Sequence, residues 1–357
     1  MKVMRILFVT RNARLGGGVT YLGTLLPALQ QLGHHCELMI RGGPGLARLQ
    51  KVVGQTWWLP PVAAWAAAQA RRIIREKAID LVSTHTTRCA QHLMPACRQM
   101  QVPLVMVIHN RTPLERCLLA ADYAQAIVVL DKNTLDYFAN NYPQFSAKLC
   151  LTNRLVDRSV FRPSPREDRS VFRITYLGRL SSTKGEQALV LMDACGQLLE
   201  TIPNLELTII GTGSRLRRAH RKAAQLNKQA RRPVVRVVGS TYHPERFLQQ
   251  TDILIGAGRS AVEGLACGCV VIGLGFAGLF GVITADNIDA AIAANFGDTG
   301  AHWSQVDPAL LAEQIGAAHR QQSTDKEWVA RVLDEQLAAP KVAEELAAIY
   351  QRVIRGG

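Results

Sequence analysis

Short apolar runs alternate with amphipathic stretches along the whole chain. The run at residues 5–10 (RILFVT) has the length and composition of a buried strand, and similar runs follow at residues 36–40, 81–85, 103–109 and 126–130. Between the first two runs, leucines recur at helical spacing, at Leu22, Leu25, Leu26, Leu29 and Leu32, and the pattern ends at Gly33. Regular alternation of strand and helix predicts a parallel sheet covered on both faces.

The same alternation begins again after the polar stretch at residues 164–170 (SPREDRS). Five further strand runs follow: FRITYLG, LELTIIG, VVRVVG, DILIG and VVIGL. We therefore predict an α/β protein with two Rossmann-like, doubly wound parallel-sheet domains, at residues 1–163 and 164–340. A final helix at about 341–357 is expected to pack against a core, back on the first domain. Open parallel sheets bind ligands beyond the carboxyl ends of their strands, so two such domains are expected to face a shared cleft.

Composition limits the compartment and the cysteine chemistry. The 357 residues are 48% hydrophobic and 20% charged, which suits two globular domains. The eight scattered cysteines lack zinc-site spacing and are expected to be free thiols. The chain shows no signal-like leader and no apolar run of about 18 residues, so we expect a cytoplasmic protein.

The positive charge is concentrated in the first half. Residues 1–165 carry 20 Lys and Arg against 8 Asp and Glu, whereas residues 166–357 carry 22 against 20. Such a field favours an anionic partner, which could be nucleic acid, an acidic bilayer or a phosphorylated acceptor. Only the positive charge favours binding to nucleic acid, because the sequence shows no helix-turn-helix, zinc module or aromatic RNA-binding motif. We expect no nucleic-acid partner.

The segment GRLSSTKG, from Gly178 to Gly185, carries the most chemical information. It follows a strand, opens a helix, and presents Arg179 and Lys184 beside two glycines. Glycines allow the backbone to approach a diphosphate, and two cations would neutralise its charge. Taken alone, the pair fits a solvated surface turn equally well.

Other glycines also follow predicted strands. Gly16, Gly17 and Gly18 stand at the start of the first helix, but Tyr21 occupies the place of the third glycine of a dinucleotide fingerprint, which argues against NAD. They suit an anion or sugar contact, or else a tight turn. Repetition of the feature at Gly211, Gly213 and Gly239 favours an open, backbone-lined pocket.

A second loop rich in small residues lies in DILIGAGRSAVEGLACGCVVIG, residues 252–273. It places Gly258, Arg259 and Ser260 at a helix start and Glu263 one turn later. Loop N–H groups can meet a phosphate, and the carboxylate can accept hydrogen bonds from a ribose diol. The alternative for Glu263 is a carboxylate that only stabilises the helix dipole.

Together, GRLSSTKG, TDILIGAGRSAVEGLACG and TNRLVDRSVFRP (152–163) make the chain resemble the family-four retaining glycosyltransferases of the GT-B fold. The resemblance extends over nearly the whole chain. It implies that Arg179 and Lys184 hold the donor diphosphate, that Glu263 binds the nucleotide ribose and that His109 lies near the reacting centre. Residues 16–18 would face the donor, and no cofactor or metal is expected beside the nucleotide-sugar substrate.

The chain departs from the family where the first acid of its paired-glutamate motif belongs. Eight residues before Glu263 it has Ile255, which cannot accept a hydrogen bond from a sugar hydroxyl. Either donor-sugar recognition is done differently, by the backbone of residues 256–258 and by Arg259, or the chain is an inactive nucleotide- or glycan-binding protein. We favour activity, because the two cations serve the leaving group.

Two features bear on the acceptor, which we expect to be a cell-envelope glycan or a lipid-linked molecule. In residues 55–77, three tryptophans precede Arg71, Arg72, Arg75 and Lys77, a combination that suits peripheral contact with an anionic membrane, on the inner face of the plasma membrane. An ordinary helix with a solvated end is the alternative. A second cationic stretch, residues 215–232, is expected to form an exposed helix.

Overall fold

A computed structural model describes residues 2–13, 17–165, 170–300, 306–321 and 327–356 of the chain. It divides into two compact units, Met1–Leu155 with Gln336–Gly357, and Val156–Glu335. The chain thus leaves the first unit once and returns to it for its last helix. The domain ranges predicted from the polar stretch, 1–163 and 164–340, end eight residues later at the first crossing and five residues later at the second.

The described part of the first unit contains a seven-stranded parallel sheet in the order β3-β2-β1-β4-β5-β6-β7. Its strands are β1 (Arg5–Thr10), β2 (His35–Ile40), β3 (Thr56–Trp58), β4 (Leu81–Thr84), β5 (Leu104–Ile108), β6 (Ala126–Val129) and β7 (Leu149–Leu151). Its helices are α1 (Gly17–Gln31), α2 (Leu46–Val53), α3 (Ala63–Glu76), α4 (Thr87–Met100), α5 (Leu118–Tyr123) and α6 (Lys132–Asn141).

Alternating side chains of the strands separate the first unit's core into two layers. Ile6 and Phe8 of β1 pack with α1, whereas Leu7 and Val9 pack on the other side with α3 and α4. Because successive side chains of a strand point to opposite faces, one apolar run supplies both layers. This explains why the strands read as continuous apolar runs.

The second unit has a six-stranded sheet among its described residues, in the order β10-β9-β8-β11-β12-β13. The strands are β8 (Phe172–Leu177), β9 (Leu205–Ile210), β10 (Val235–Gly239), β11 (Ile253–Gly256), β12 (Val270–Gly275) and β13 (Gly278–Val282), the last antiparallel to its neighbour. The helices are α7 (Ser182–Leu198), α8 (Leu216–Ala230), α9 (Pro244–Leu248), α10 (Arg259–Ala266), α11 (Ile288–Ala293), α12 (Pro308–Gln321) and α13 (Glu327–Val332).

The last helix, α14 (Ala339–Ile354), belongs to the first unit. Its apolar stripe, which includes Val342, Leu346 and Tyr350, is buried in the same core layer as α1. Helical spacing of apolar residues was sufficient to predict this helix, but its partner is set by the chain's return to the first unit.

Ten strands coincide with runs predicted from the sequence, and three strands at the sheet edges, β3, β7 and β13, escaped that prediction. The segment at residues 55–77, for which an ordinary helix was one interpretation, is not a single helix: Trp57 and Trp58 lie in β3, and Trp65 lies in α3. The second cationic stretch, which was expected to form an exposed helix at residues 215–232, forms α8 at residues 216–230. This helix buries only Ala219 and Ala223. Two aromatic and β-favouring residues are enough for a three-residue edge strand, which has no periodicity to detect.

Candidate functional site

In the second unit, the loops after β8 and β9 bind each other through their backbones. The N–H of Gly178 donates to the carbonyl of Ile210 at 3.1 Å, and the N–H of Leu180 donates to the carbonyl of Thr212 at 2.9 Å. Arg215 N–H returns a bond to the Leu180 carbonyl at 2.8 Å. Three backbone hydrogen bonds to residues 210–215 therefore hold the start of the GRLSSTKG loop at the carboxyl edge of the sheet.

The glycines of the β9 loop are required by this close packing. Gly211 and Gly213 have φ values of +154° and +156°, and a Cβ on Gly211 would lie 1.8 Å from the Gly178 carbonyl oxygen. The N–H of Gly211 also donates to the carbonyl of Gly239, at 2.7 Å. Gly239, with φ +81°, has open space where a Cβ would stand. The pocket role predicted for these glycines stays a prediction, and packing alone explains Gly211 and Gly213.

Lys184 and Arg179 share one aromatic neighbour. The Lys184 ammonium lies 4.8 Å from the centre of the Phe276 ring, and the Arg179 guanidinium carbon lies 5.6 Å from it. Lys184 is 9% exposed and its Nζ lies 2.6 Å from Oδ1 of Asp298. Arg179 is exposed and has no ion-pair partner among the described residues. One cation is thus preset by a carboxylate, and the other is available to a ligand.

The turn at residues 295–297 places Asp298 beside Lys184. Asn295 and Phe296 both have left-handed backbones, with φ values of +48° and +55°, and both are buried. Left-handed residues other than glycine store strain, which commonly marks functional positions. Asp298 also accepts the N–H of Phe276 at 3.2 Å, so one carboxylate fixes both the lysine and its aromatic neighbour.

Sequence reasoning missed Phe276 and Asp298. Both are distant in sequence from the cationic motif that contains Lys184. Phe276 directly follows β12, and Asp298 lies in the segment after α11. The run NFGD, residues 295–298, offered a weak signal: a glycine follows an asparagine and an aromatic residue, and an acid comes next. Only the sheet order brings this acid beside the lysine.

Arg259 and Glu263 pair with each other at the start of α10. Arg259 Nε donates to Oε1 of Glu263 at 2.6 Å, and their side chains are only 10% and 6% exposed. The sequence predicted a phosphate contact for the first and a ribose contact for the second. The guanidinium and the carboxylate orient one another, because they lie four residues apart on one helix face.

The neighbouring loop groups are also engaged. The N–H of Gly258, whose φ is +61°, donates to the carbonyl of Asn295 at 2.9 Å, and Ser260 Oγ donates to the Ala257 carbonyl at 2.9 Å. A Cβ on Gly258 would lie 3.2 Å from Asp298 Oδ2. Gly258, Arg259, Lys184 and Arg179 are therefore brought into one loop cluster, which Asp298 links.

Ile255 does not lie in this cluster. It belongs to β11, its side chain is fully buried in the apolar core, and it pairs with Tyr176 of β8. A carboxylate at this position would enter the core rather than a ligand site, at a large desolvation cost. The match between Ile255 and the family's first acid therefore rests on residue counting alone.

In the first unit, His109 follows β5 and touches a second histidine. His109 Nε2 lies 3.2 Å from Nδ1 of His85, which follows β4, and the ring of Tyr21 meets His109 edge-on at 5.0 Å between centres. Both histidines line a small cavity of about 120 Å³. His85 was missed from the sequence, although LVSTH and PLVMVIH both end in histidine and neighbouring parallel strands end at one sheet edge.

The glycines before Tyr21 fall partly outside the described residues. Gly16 lies there, whereas Gly17 and Gly18 form the exposed first turn of α1, with open space where a Cβ would stand. Because Tyr21 is one turn further along, the start of α1 lies at the same sheet edge as His85 and His109.

Burial keeps both histidines neutral. It lowers the pKa of His85 from 6.5 to about 3, and it holds the pKa of His109 well below its usual value, with smaller contributions from His85 and Arg154. Arg154 contributes because its guanidinium donates to the carbonyl of His109 at 2.8 Å. At neutral pH each ring therefore has one N–H and one acceptor nitrogen.

This burial makes the first unit sensitive to acid. The unfolded chain protonates His85 near pH 6.5 and the folded chain near pH 3, so the unfolded state binds more protons between these values. The stabilisation is complete above pH 6.5, and the free energy of unfolding is expected to fall below it by up to about 1.4 kcal/mol per pH unit. Urea denaturation at pH 7.5 and 5.5 measures this slope. His85→Gln should reduce it and the exposed His220→Gln should not; an unchanged slope in His85→Gln would contradict the assignment.

The described ranges contain neither a membrane-spanning helix nor a cluster of metal-ligating side chains. No helix there is long and apolar enough to cross a bilayer. No group of three or more His, Cys, Asp or Glu residues there is placed to hold a metal ion. The eight cysteines are free thiols, and all except Cys150 are buried.

Two doubly wound sheets in succession, together with the matches to known proteins, show a glycosyltransferase of the GT-B fold. Two family models match in turn: Glycosyltransferase Family 4 over residues 15–160, and Glycosyl transferases group 1 over residues 157–332. The chain belongs to these family-four-like glycosyltransferases. A comparison with curated protein sequences gave no match.

Solved structures share the fold over the full length of the chain. A glycosyltransferase from Rickettsia africae ESF-5 is 19% identical with a TM-score of 0.78, covering 100% of both chains. Alr3699/HepE from Anabaena, in complex with UDP, is 15% identical with a TM-score of 0.75, covering 98% of this chain and 100% of that one. The lipopolysaccharide outer core galactosyltransferase WaaB is 13% identical with a TM-score of 0.64, covering 98% and 99%.

Proposed function

We propose that this protein transfers a sugar from a nucleoside-diphosphate sugar to a cell-envelope glycan or lipid-linked acceptor, with retention of configuration and without a metal. The cluster of Arg179, Lys184, Phe276 and Asp298 carries the proposal. It lies at the carboxyl edge of the second sheet, where open α/β folds bind their ligands.

The two cations are proposed to hold the diphosphate of the donor. Breaking the bond between sugar and phosphate builds negative charge on the leaving group, and fixed cations lower that barrier. Lys184 is preset by Asp298, so little ordering is needed when the ligand arrives. Arg179 is exposed and contributes a planar guanidinium suited to phosphate oxygens.

Arg259 and Glu263 are proposed to bind the nucleoside side of the donor. Their ion pair is nearly buried at the start of α10, beside the Gly258 loop. A carboxylate oriented in this way can accept hydrogen bonds from the two hydroxyls of a ribose. The glycine loops at residues 178, 211, 213 and 239 would shape the surroundings of the nucleotide.

The absence of a metal is proposed from the chemistry of the cations. A divalent ion and a Lys–Arg pair serve the same purpose at a departing diphosphate, namely neutralising charge. The sequence contains no Asp-x-Asp pair of the kind that would hold such an ion.

In the first unit, His109 and the exposed Gly17–Gly18 turn are proposed to contact the transferred sugar or its acceptor.

A donor panel tests the proposal. The free protein is heated with UDP, GDP, ADP, CMP and the matching sugar nucleotides, with and without EDTA. A ligand at 100 times its Kd stabilises by about 2.7 kcal/mol, which gives a measurable rise in Tm. UDP is tried first because Alr3699/HepE was crystallised with it. Stabilisation by one nucleotide and product formation in EDTA are expected; no response to any nucleotide would refute the donor site.

The acceptor side is proposed to involve an anionic membrane surface. Trp58, Val62 and Trp65 are 56%, 47% and 63% exposed and fall within eight residues of one another, at the end of β3 and the start of α3. Arg72 lies two turns beyond Trp65 on the same helix face, exposed to solvent. Exposed aromatic residues followed by cations fit the boundary between lipid headgroups and acyl chains.

Trp58→Ala together with Trp65→Ala is expected to weaken vesicle binding at least tenfold, because both aromatic anchors are lost. Sedimentation with vesicles of 30% phosphatidylglycerol in phosphatidylcholine measures it, and binding should also fall in 0.5 M salt as charges are screened. The control is Tyr242→Ala, which removes an exposed aromatic residue from the second unit. Equal binding by the double variant and the parent would contradict membrane contact through this surface.

A further inference from the structure

Three buried polar side chains and the half-buried His109 form a line in the first unit. The hydroxyl of Tyr350, on α14, lies 2.7 Å from Ser83 Oγ, and Ser83 Oγ lies 3.4 Å from Nε2 of His85. His85 Nδ1 lies 3.2 Å from Nε2 of His109. Three of them, Tyr350, Ser83 and His85, are 0%, 0% and 5% exposed. The line ends at the cavity that His109 helps to form.

The line has a direction, which the phenol sets. Among the described residues, Ser83 Oγ is the only hydrogen-bond partner of the Tyr350 hydroxyl. Burial raises the pKa of Tyr350 far above its usual value, so the phenol keeps its proton and must donate it to Ser83. Ser83 then donates its own proton to His85 Nε2. The opposite direction would leave a buried phenol O–H with no acceptor, which is costly.

The direction decides the tautomer of both imidazoles. A neutral His85 that accepts at Nε2 has its proton on Nδ1, and it donates that proton to His109 Nε2. His109, also neutral, must then have its proton on Nδ1. Its backbone carbonyl accepts from Arg154, and its Nδ1 has no protein partner among the described residues.

We propose that Tyr350, Ser83 and His85 are positioning residues that fix His109 as the Nδ1–H tautomer. His109 thus offers an N–H donor to an oxygen atom of a bound sugar or phosphate, and does not act as a proton acceptor there. The use of this donor toward a substrate rests on the proposed transferase function. The tautomer itself is a property of the free protein, so the two can fail separately.

Long-range ¹H–¹⁵N correlation spectra of the full chain, labelled at histidine, test the tautomer directly at pH 7.5. His85→Gln and His109→Asn assign the two rings. We expect protonated Nδ1 and unprotonated Nε2 for both. A protonated Nε2 on His109 would overturn the proposal, whether or not the protein transfers sugar.

Variants of the relay test its direction. Tyr350→Phe removes the first donor, and both histidines should then exchange between tautomers and show averaged nitrogen signals. The control Tyr123→Phe removes a hydroxyl that donates to the Val102 carbonyl in the same unit, and it should leave both rings unchanged. Unaltered histidine signals in folded Tyr350→Phe would show that the phenol does not set the tautomer and would overturn the relay.

Activity distinguishes an N–H donor from a base. The side-chain amide of asparagine places an N–H close to the position of the imidazole Nδ1, but it cannot accept a proton near pH 7. His109→Asn should therefore retain at least tenfold more kcat than His109→Ala, with a flat pH profile between 6.5 and 8.5. Equal loss in the two variants would show that His109 does not act as a donor.

Discussion

Lys184→Ala is expected to lower kcat/KM for sugar transfer by about 10²- to 10³-fold, the loss seen when one preorganised donor to a developing anion is removed. The ammonium is nearly buried and lies 2.6 Å from Asp298. Its removal takes away a cation and also leaves a carboxylate close to the place proposed for the diphosphate. Most of the loss should appear in kcat, because charge on the leaving group grows toward the transition state.

A second lysine provides a matched control. Lys222 lies 2.5 Å from Asp193 in the same unit, with no glycine loop beside it, so Lys222→Ala should leave kcat/KM within twofold of the parent. Adding Asp298→Asn to Lys184→Ala separates the loss of the cation from the repulsion by the unpaired carboxylate. If that carboxylate repels the donor, the double variant Lys184→Ala/Asp298→Asn should bind nucleoside diphosphate more tightly than Lys184→Ala alone. Full activity in Lys184→Ala would refute the leaving-group role.

Glu263→Gln is expected to destabilise the second unit by about 3–5 kcal/mol, since removing one partner of a buried ion pair leaves the other charge uncompensated. Arg259 and Glu263 are 10% and 6% exposed, so water cannot replace the lost carboxylate. Donor binding should also weaken, because the ribose contact and the orientation of Arg259 are lost together. Urea denaturation and nucleotide titration measure the two losses separately.

The chain contains an exposed copy of the same pair. Arg72 Nε lies 2.7 Å from Glu76 Oε1, also four residues apart on a helix, but the side chains are 63% and 44% exposed. Glu76→Gln should therefore cost no more than about 0.5 kcal/mol. If Glu263→Gln and Glu76→Gln changed stability equally, burial would not be what makes the α10 pair important.

Most of the fold could be predicted from apolar runs, because buried parallel strands are continuous in sequence and need no partner information to be found. The three strands that were missed, β3, β7 and β13, are short or lie at a sheet edge. Their place depends on pairing with a neighbour, as Thr56 to Trp58 pair with β2. Pairing is a tertiary property and leaves little mark on three residues.

The candidate site divides in the same way. Arg179, Lys184 and Glu263 could be found because each lies within a few residues of a strand end. Phe276 and Asp298 could not, because Lys184 meets them only through the order of strands β8, β11 and β12. Residue counting aligned Ile255 with the family's first acid, and this alignment stays a prediction; only strand pairing shows that Ile255 lies in the core.

By itself, the sequence determined two α/β domains, their glycine loops and the cations beside them, since these follow from local periodicity and from residues near strand ends. The tertiary structure alone decided which charged side chains form ion pairs and which glycines are required by close packing. It paired Lys184 with Asp298 and Arg259 with Glu263, and it made Gly211 a packing residue. It also joined His109 through His85 and Ser83 to Tyr350, 241 residues further along the chain. Burial and proximity set charge state and proton position, and both arise only when distant segments pack together.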